Sequence, residues 1–142
     1  MTLVDANILI YAFDRNCSIH YKAKKWLDDQ LNGTAKTGLP WASLLAFARI
    51  VSNPRIYEKP VSVVGAWNQV VVWLGTRSAW VPNPTEEHHR TITDLLKTVS
   101  VGANDLPDVH LAALAVDHGL KLCSTDSGFA RFPQVEWINP LV

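Results

Sequence analysis

The chain has 142 residues, the length of one ordinary domain, and 48% of them are apolar. Thirteen basic and thirteen acidic side chains give a net charge of zero, and the mean hydropathy is +0.05. These values exclude a disordered chain, a membrane protein and a protein that coats nucleic acid through overall positive charge. They leave room for a local basic patch, because residues 1–60 carry eight Lys and Arg against five Asp and Glu.

The cysteine content and the amino-terminal residues indicate in which cellular compartment the protein is found. Two cysteines, Cys17 and Cys123, are too few for a disulfide framework or a zinc site, and both are interpreted as free thiols in apolar surroundings. The first residues lack the basic start of a signal peptide, and Asp5 and Asn7 interrupt their apolar run. The sequence therefore predicts a protein of the reducing cytoplasm.

Short apolar runs alternate with helical patterns along the chain. The first half contains two predicted strands and three predicted helices: a strand over 1–4, a helix from Asn7, a helix over 20–31, a weak strand over 36–39 and a helix over 41–51. The second half contains three of each: helices over 61–74, from Thr85 and over 107–118, and strands over 80–81, 120–124 and 135–138. This alternation predicts an α/β fold, a parallel sheet flanked by helices, in a single domain of residues 1–142.

Three carboxylates fall where such a fold places its functional groups. Asp5 follows the first strand and Asp126 follows the strand over 120–124, so both belong to the carboxyl edge of the sheet, where α/β proteins bind ligands. Asp108 lies in the first turn of the helix over 107–118. With no Lys or Arg nearby, three converging carboxylates raise one another's pKa unless a cation neutralises them. Oxygen ligands of this kind suit Mg²⁺ or Mn²⁺, which can activate water against a phosphodiester bond.

Each carboxylate also has a purely structural interpretation. Asp5 could cap the helix that follows it, and Asp108 could cap its own helix. Asp126, which precedes Ser127 and Gly128, could form a turn. Spacing alone leaves both interpretations open for all three residues.

Stretches along essentially the whole chain resemble the PIN domains, and in particular the VapC-type toxins of bacterial toxin–antitoxin pairs. They are LVDANILIYA over 3–12, LPW over 39–41, FARI over 47–50 with NPRI over 53–56, DVHLAALA over 108–115 with HG over 118–119, STD over 124–126 with FARFP over 129–133, and WINPL over 137–141. The resemblance implies a three-layer α/β/α fold with a short, mainly parallel central sheet. It also implies an endoribonuclease that depends on Mg²⁺, with Mn²⁺ as an alternative, and that a cognate VapB-type antitoxin inhibits.

The motifs of the family fall on particular residues of this chain. The resemblance makes Asp5, Asp108 and Asp126 the catalytic, metal-binding residues. It makes Asn7 a support for Asp5, and it expects Thr125 to supply a hydroxyl near the site. Members of the family usually form homodimers, and the apolar helix predicted over 61–74 offers an interface for one.

Two acidic positions that are common in the family are absent from this chain. Ala46 stands where the family commonly has a Glu, and Gly128 stands where a further Asp often follows. Fewer carboxylates predict weaker Mg²⁺ binding. Asn104 or Asp105 could partly compensate, although Asp105 is better explained as a solvated loop residue. The losses also motivate an alternative function, a degenerate PIN domain that binds RNA or an antitoxin without catalysis.

Three arginines are the candidates for binding an RNA backbone. Arg49 and Arg55 lie in and after the helix over 41–51, and Arg131 lies in the segment after Asp126. Guanidinium groups pair bidentately with phosphate, which makes arginine suited to this contact. A solvated position on the surface is the alternative for each of them.

The aromatic and histidine residues have simpler interpretations. Trp41 and Trp80 could stack on a nucleobase, but burial is the favoured interpretation for both. Trp67 is expected in the core or in an interface, since it lies on an apolar helix face. The adjacent His88 and His89 lie early in a predicted helix and are expected to be exposed rather than to bind a metal.

Overall fold

The computed structural model describes residues 1–142 as six α-helices and five short strands joined by loops and two 3₁₀ turns. In chain order the elements are β1 (Thr2–Val4), α1 (Ala6–Phe13), α2 (His20–Leu31), β2 (Thr37–Gly38), α3 (Trp41–Val51), α4 (Val63–Leu74), β3 (Ala79–Trp80), α5 (His88–Thr98), α6 (Leu106–His118), β4 (Lys121–Cys123) and β5 (Trp137–Ile138). The 3₁₀ turns are Ala103–Asp105 and Ser127–Arg131. No helix is both long enough and apolar enough to cross a membrane.

All five strands are parallel and lie in the order β3-β2-β1-β4-β5. The chain builds outward from β1 through β2 to β3 and then returns to the other side of β1 with β4 and β5. In such sheets ligands bind at the carboxyl ends of the two neighbouring strands from which the chain connections run in opposite directions. In this sheet those strands are β1 and β4. The register pairs Val4 with Cys123, so the residues that follow them, Asp5 and Ser124, emerge side by side at this point.

Helices cover both faces of the sheet. Alternation along β1 sends successive side chains to opposite faces. Val4 packs into a core formed mainly by α1, α2, α3 and α4, whereas Leu3 packs into a second core formed mainly by α6, β4 and the segment that follows β4. The predicted three-layer α/β/α fold with a parallel central sheet is therefore confirmed.

Side-chain hydrogen bonds and backbone conformation set the ends of two helices. The predicted start of α4 at residue 61 was wrong, because the Ser62 hydroxyl accepts a hydrogen bond from the Gly65 N–H at 2.9 Å and caps a helix that begins at Val63. The predicted end of α6 at His118 is confirmed. Gly119 follows it with a φ of 65°, a left-handed conformation that only glycine adopts at little cost.

A polar cluster between α5 and α6 explains a second departure from the predicted boundaries. The helix predicted from Thr85 begins at His88 instead, and the Thr85 hydroxyl donates to Asp117 on α6 at 3.2 Å. The prediction that His88 is exposed was also wrong, because its Nε2 lies 2.9 Å from Nδ1 of His110. Burial and the neighbouring His88 lower the pKa of His110, which favours its neutral ring. These contacts join α5 to the helix that carries Asp108.

The tryptophans divide between the core and the surface. Trp73 is buried in the core, but the prediction that Trp41 is buried was wrong: its side chain is 41% exposed. The Trp41 ring stacks on Trp67 of α4, which is equally exposed, with ring centroids 6.1 Å apart and planes 10° apart. The pair belongs to a set of exposed apolar residues on α4 and the start of α3, which we call the α4 surface: Trp41, Leu45, Val63, Val64, Trp67, Val71 and Val72.

Candidate active site

Asp5 occupies the single position between the end of β1 and the start of α1. Its backbone N–H donates to the carbonyl of Cys123 at 3.0 Å and so continues the pairing of β1 with β4. Its Oδ1 accepts a hydrogen bond from the Ala6 N–H at 2.7 Å, which confirms the interpretation of Asp5 as a helix cap. The cap uses one oxygen, and the other, Oδ2, accepts hydrogen bonds from Ser124 and Asn7.

The Ser124 hydroxyl is the centre of the hydrogen-bond network around Asp5. It donates to Oδ2 of Asp5 at 2.7 Å and accepts from Nδ2 of Asn7 and from the Asp126 N–H, each at 3.0 Å. Thr125 contributes only its backbone N–H, which donates to Oδ1 of Asn7 at 3.3 Å. The hydroxyl that bonds Asp5 is that of Ser124, which is fully buried, and a role for the Thr125 hydroxyl stays a prediction. The sequence pattern of a strand does not contain its register against a neighbour. The pairing of Val4 with Cys123 is what places Ser124 beside Asp5.

Asp126 forms the turn that leads away from β4. Its Oδ1 accepts a hydrogen bond from the Gly128 N–H at 2.8 Å, so the interpretation as a turn residue is confirmed. A Cβ atom at position 128 would lie only 3.0 Å from that oxygen. A side chain at position 128 would therefore require the Asp126 carboxylate to shift by a few tenths of an ångström.

Asp108 differs from the other two carboxylates because its side chain accepts no hydrogen bond from the protein. It lies half-buried in the first turn of α6 and caps nothing, so the interpretation as a cap was wrong. Burial, followed by the charges of Asp5 and Asp126, raises the pKa of Asp108 to about 6. Burial also raises the pKa of Asp5, against the effect of the hydrogen bonds from Ser124 and Ala6. The three carboxylates therefore share one electrostatic environment.

Arg131, one of the three arginines predicted to bind RNA, brings a positive charge to this environment. Its charge acts against the rise in the pKa of Asp108, and its Nη1 lies 3.5 Å from Oδ2 of Asp105. Asp105 also accepts a hydrogen bond from the Gly102 N–H at 3.0 Å, and its side chain, 36% exposed, remains partly solvated. Asn104, the other residue expected to compensate for the missing carboxylates, is exposed and its side chain makes no hydrogen bond.

The carboxylates lie at an open edge rather than in a cavity. A cavity of about 410 Å³ lies at the carboxyl-terminal ends of α1 and α3, and none of the three carboxylates lines it. No group of three or more His, Cys, Asp and Glu side chains is close enough together to hold one metal ion in common. Arg49 and Arg55 are exposed on the last turn of α3 and in the turn after it, and neither forms an ion pair.

Replacing Ser124 is expected to destabilise the site from within. Ser124→Ala leaves Oδ2 of Asp5 without its shortest hydrogen bond and leaves the Asp126 N–H without an acceptor. Because these groups are largely withdrawn from water, we expect the free energy of unfolding to fall by about 1–3 kcal/mol, measured by urea denaturation.

Ser43→Ala is the matched control for this substitution. Ser43 is 1% exposed, and its hydroxyl has no hydrogen-bond partner. Its removal is therefore expected to leave stability unchanged or to raise it slightly. Equal losses from the two variants would mean that the hydrogen bonds of Ser124 contribute nothing beyond packing.

Comparison with protein families and curated relatives gives a consistent assignment. Residues 2–135 match the PIN domain family. Ribonuclease VapC37 of Mycobacterium tuberculosis (strain ATCC 25618 / H37Rv) is 40% identical over 140 residues, which cover 99% of this chain and 97% of the relative. VapC ribonuclease Mb2897 of Mycobacterium bovis is 35% identical over 141 residues, covering 99% and 96% of the two chains.

Two solved structures agree with the fold at low sequence identity. VapBC2 from Rickettsia felis, bound to a DNA fragment from its promoter, superposes with a TM-score of 0.67 at 15% identity over 97% of both chains. FitAB bound to the IR36 DNA fragment superposes with a TM-score of 0.68 at 16% identity, over 100% of this chain and 96% of the other. These two structures bear on the fold alone, whereas the family match and the full-length relatives show that this chain belongs to the PIN-domain family, among the VapC ribonucleases.

Proposed function

We propose that Asp5, Asp108 and Asp126 are the catalytic, metal-binding residues of an RNA-cleaving toxin and that Mg²⁺ is the ion they bind. The observation that carries this proposal is their shared electrostatic environment at the carboxyl edge between β1 and β4, where the pKa of Asp108 is raised to about 6. A cation that binds there offsets both causes of the raised pKa, the burial of the carboxylates and their mutual repulsion. The curated relatives named VapC ribonucleases support RNA as the substrate class.

The donor set fits a hard divalent cation. It consists of carboxylate oxygens, which suit Mg²⁺ and also Mn²⁺. Mg²⁺ commonly binds through one or two carboxylates and keeps several waters, which agrees with side chains that do not enclose an ion by themselves. When bound, such an ion supplies a water of lowered pKa and offsets negative charge on the phosphate.

The protein residues orient this site before any ligand arrives. Ser124 and Asn7 fix Oδ2 of Asp5 through hydrogen bonds of 2.7 and 3.3 Å. Asp108 has no hydrogen bond to the protein, so the lone pairs of its carboxylate are free for a ligand. Catalytic electrostatics depend on groups that are held in place before the reaction, and this network provides that for Asp5.

The test of this function is cleavage of total RNA in the presence of Mg²⁺, of Mn²⁺ and of EDTA. Products that form with Mg²⁺ and disappear with EDTA support a metal-dependent ribonuclease, whereas equal cleavage in EDTA contradicts it. RNA binding without products under every condition favours the alternative, a degenerate domain that binds without catalysis, which the missing carboxylates at Ala46 and Gly128 motivate.

Arginines and an antitoxin complete the proposed set of contacts. Arg49 and Arg55 are exposed and form no ion pairs, so both are free to bind RNA phosphates, with Arg131 closer to the carboxylates. A VapB-type antitoxin is the proposed protein partner, because the structural neighbours include VapBC and other toxin–antitoxin complexes. We place these partners in the cytoplasm, where Cys17 and Cys123 stay as the free thiols that the structure shows.

We further propose that the α4 surface is the interface of a homodimer. The inner face of α4 is buried in the core through Ala66, Val70 and Trp73. Its outer face is also mostly apolar, with Asn68 as the exposed polar residue among the valines and Trp67. A helix of this kind is normally covered on both sides, and a large exposed apolar patch marks an interaction surface.

Val71→Lys is expected to convert such a dimer to a monomer. Val71 is 54% exposed within the α4 surface, so a lysine fits the folded monomer but places a charge in the interface. Light scattering after size-exclusion chromatography should show the mass fall by about half, while Tyr21→Lys on the exposed face of α2 leaves it unchanged. A wild-type protein that is already monomeric, or a Val71→Lys dimer, would contradict this interface.

A further inference from the structure

Arg131 is held more rigidly than its place in a connecting segment suggests. It is the last residue of the 3₁₀ turn Ser127–Arg131, which two buried rings, Phe129 and Phe132, fix to the core. Its guanidinium carbon lies 4.9 Å from the centroid of the Phe132 ring, and its Nη1 lies 3.5 Å from the Asp105 carboxylate. The side chain is 30% exposed, so part of the guanidinium reaches the surface while Nε is buried.

The hydrogen-bonding capacity of this guanidinium is mostly unused. Nε is buried and has no hydrogen-bond partner, and the one hydrogen bond of the group runs from Nη1 to Asp105 at 3.5 Å. A guanidinium has five N–H donors in a planar fork, a geometry that matches the oxygens of a phosphate. Nε is too deeply buried to contact a ligand, whereas Nη2 makes no hydrogen bond and is not buried, so it is the donor left for an anion at the surface.

The surroundings of Arg131 are acidic. The charges of Asp5, Asp126 and Asp105 all act on Asp108, and Arg131 is the one cation that opposes them. A fixed cation at such a site has two opposite effects. It reduces the repulsion among the carboxylates and so weakens the attraction for a metal ion, but it attracts a phosphate group, which is negative.

We propose that Arg131 binds the phosphate of the RNA substrate next to the metal site and serves as the counter-charge of the carboxylates before a metal binds. Asp105 is its positioning residue, because the hydrogen bond from Gly102 fixes the Asp105 carboxylate that holds the guanidinium. This inference rests on the proposed function, since it takes RNA as the substrate. Donation to the non-bridging phosphate oxygens strengthens as negative charge develops on them, which lowers the barrier to cleavage.

The two effects of the charge give a test with opposite signs. Arg131→Gln is expected to bind Mn²⁺ or Mg²⁺ about 3- to 10-fold more tightly in calorimetric titrations without RNA, because a positive charge has left the site. The same variant is expected to lose on the order of 10²-fold in kcat/KM for cleavage of an RNA oligonucleotide. A variant that merely folds poorly would lose both metal affinity and activity, so the opposite signs separate the two causes.

Further variants assign the roles of charge, geometry and position. Arg131→Lys keeps the charge but not the planar fork, so its metal affinity should equal that of the wild type while kcat/KM still falls by about 10-fold or more. Asp105→Asn should lower kcat/KM in the wild-type background and have no further effect in Arg131→Gln, since it acts through Arg131. Arg90→Gln on α5, 72% exposed, is the control and should change neither quantity.

Binding measurements keep this inference separate from the proposed function. If neither the wild type nor any variant cleaves RNA, the proposed function fails. Loss of RNA affinity on Arg131→Gln, together with tighter metal binding, then still supports a phosphate contact at Arg131. Metal affinity that falls in Arg131→Gln, or RNA binding and cleavage that stay unchanged, would overturn the inference.

Discussion

Asp5→Asn is expected to reduce Mg²⁺-supported RNA cleavage by at least on the order of 10²–10³-fold while the fold stays intact. Asn is as good a helix cap as Asp, so its side-chain oxygen can still accept from the Ala6 N–H that Asp5 binds at 2.7 Å. The substitution therefore removes the negative charge but keeps the hydrogen bond that caps the amino-terminal end of α1. Initial rates of oligonucleotide cleavage and the thermal midpoint should be measured on the same preparations.

Asp94→Asn is the matched control for this change. Asp94 is an exposed carboxylate on α5 that forms no ion pair, so its loss should alter neither cleavage nor stability. Equal products from the wild type and Asp5→Asn would contradict the assignment of Asp5 as a catalytic residue. Removing the charge relieves the cost of the burial that raises the pKa of Asp5, but the amide that keeps the Ala6 cap no longer offers Ser124 an acceptor. A modest fall in the thermal midpoint is therefore expected, and cleavage is compared at a temperature where both proteins are folded.

The topology explains why the sequence predicts part of this site and not the rest. Asp5 and Asp126 are found by a local rule, since each follows an apolar strand and parallel strands end at a common edge. Ser124 and Thr125 are indistinguishable by that rule, because either hydroxyl could face Asp5 until the register of β1 against β4 is known. Side-chain orientation in adjacent strands is a property of the pairing and is absent from the pattern of one strand.

Arg131 and Trp41 show a second limit of sequence reasoning. Arg131 reaches the acidic site because the 3₁₀ turn between Phe129 and Phe132 carries it there, and a short turn of this kind leaves no periodic signal. Trp41 was expected to be buried because tryptophan is highly buried on average, yet it stacks on Trp67 at the surface. Both outcomes depend on contacts between distant segments, whereas the helices over 20–31 and 41–51 follow from local periodicity and were predicted with their observed ends.

The missing carboxylates have a local structural counterpart that bears on metal binding. Gly128 leaves space for the Asp126 carboxylate to accept from its own turn, so this oxygen is partly engaged before any ion arrives. Asp108 is in the opposite state, with a raised pKa and no hydrogen bond. The carboxylate with the most to gain from a cation is therefore Asp108, and its charge should control how metal and pH affect the protein.

Asp108→Asn is expected to stabilise the metal-free protein near pH 8 and to have little effect near pH 4. The folded-state pKa of Asp108 is about 6 and its ordinary value is 3.8, so the folded protein holds this proton more tightly than the unfolded chain does. The contribution of Asp108 to stability therefore falls as the pH rises from about 4 to about 6 and stays low above that. Allowing for solvent screening of a half-exposed group, we expect Asp108→Asn to gain about 1 kcal/mol near pH 8, measured by urea denaturation in EDTA.

Near pH 8, Mg²⁺ should make the wild type more stable than Asp108→Asn, the reverse of the order expected in EDTA. This reversal distinguishes a carboxylate that binds a metal from one whose charge is only unfavourable in the folded protein. An ion that binds only the folded state raises stability in proportion to its occupancy, so Mg²⁺ should stabilise the wild type near pH 8 and have little effect near pH 4, where Asp108 is protonated. Asp108→Asn should respond weakly at both values, while Asp94→Asn should follow the wild type. A variant that is less stable than the wild type in EDTA near pH 8 would mean that the charge of Asp108 favours folding, which contradicts a pKa raised by burial and by the charges of Asp5 and Asp126. If Asp108→Asn is more stable than the wild type in EDTA but responds to Mg²⁺ as the wild type does, the charge of Asp108 is unfavourable in the folded protein and Mg²⁺ binds at another place.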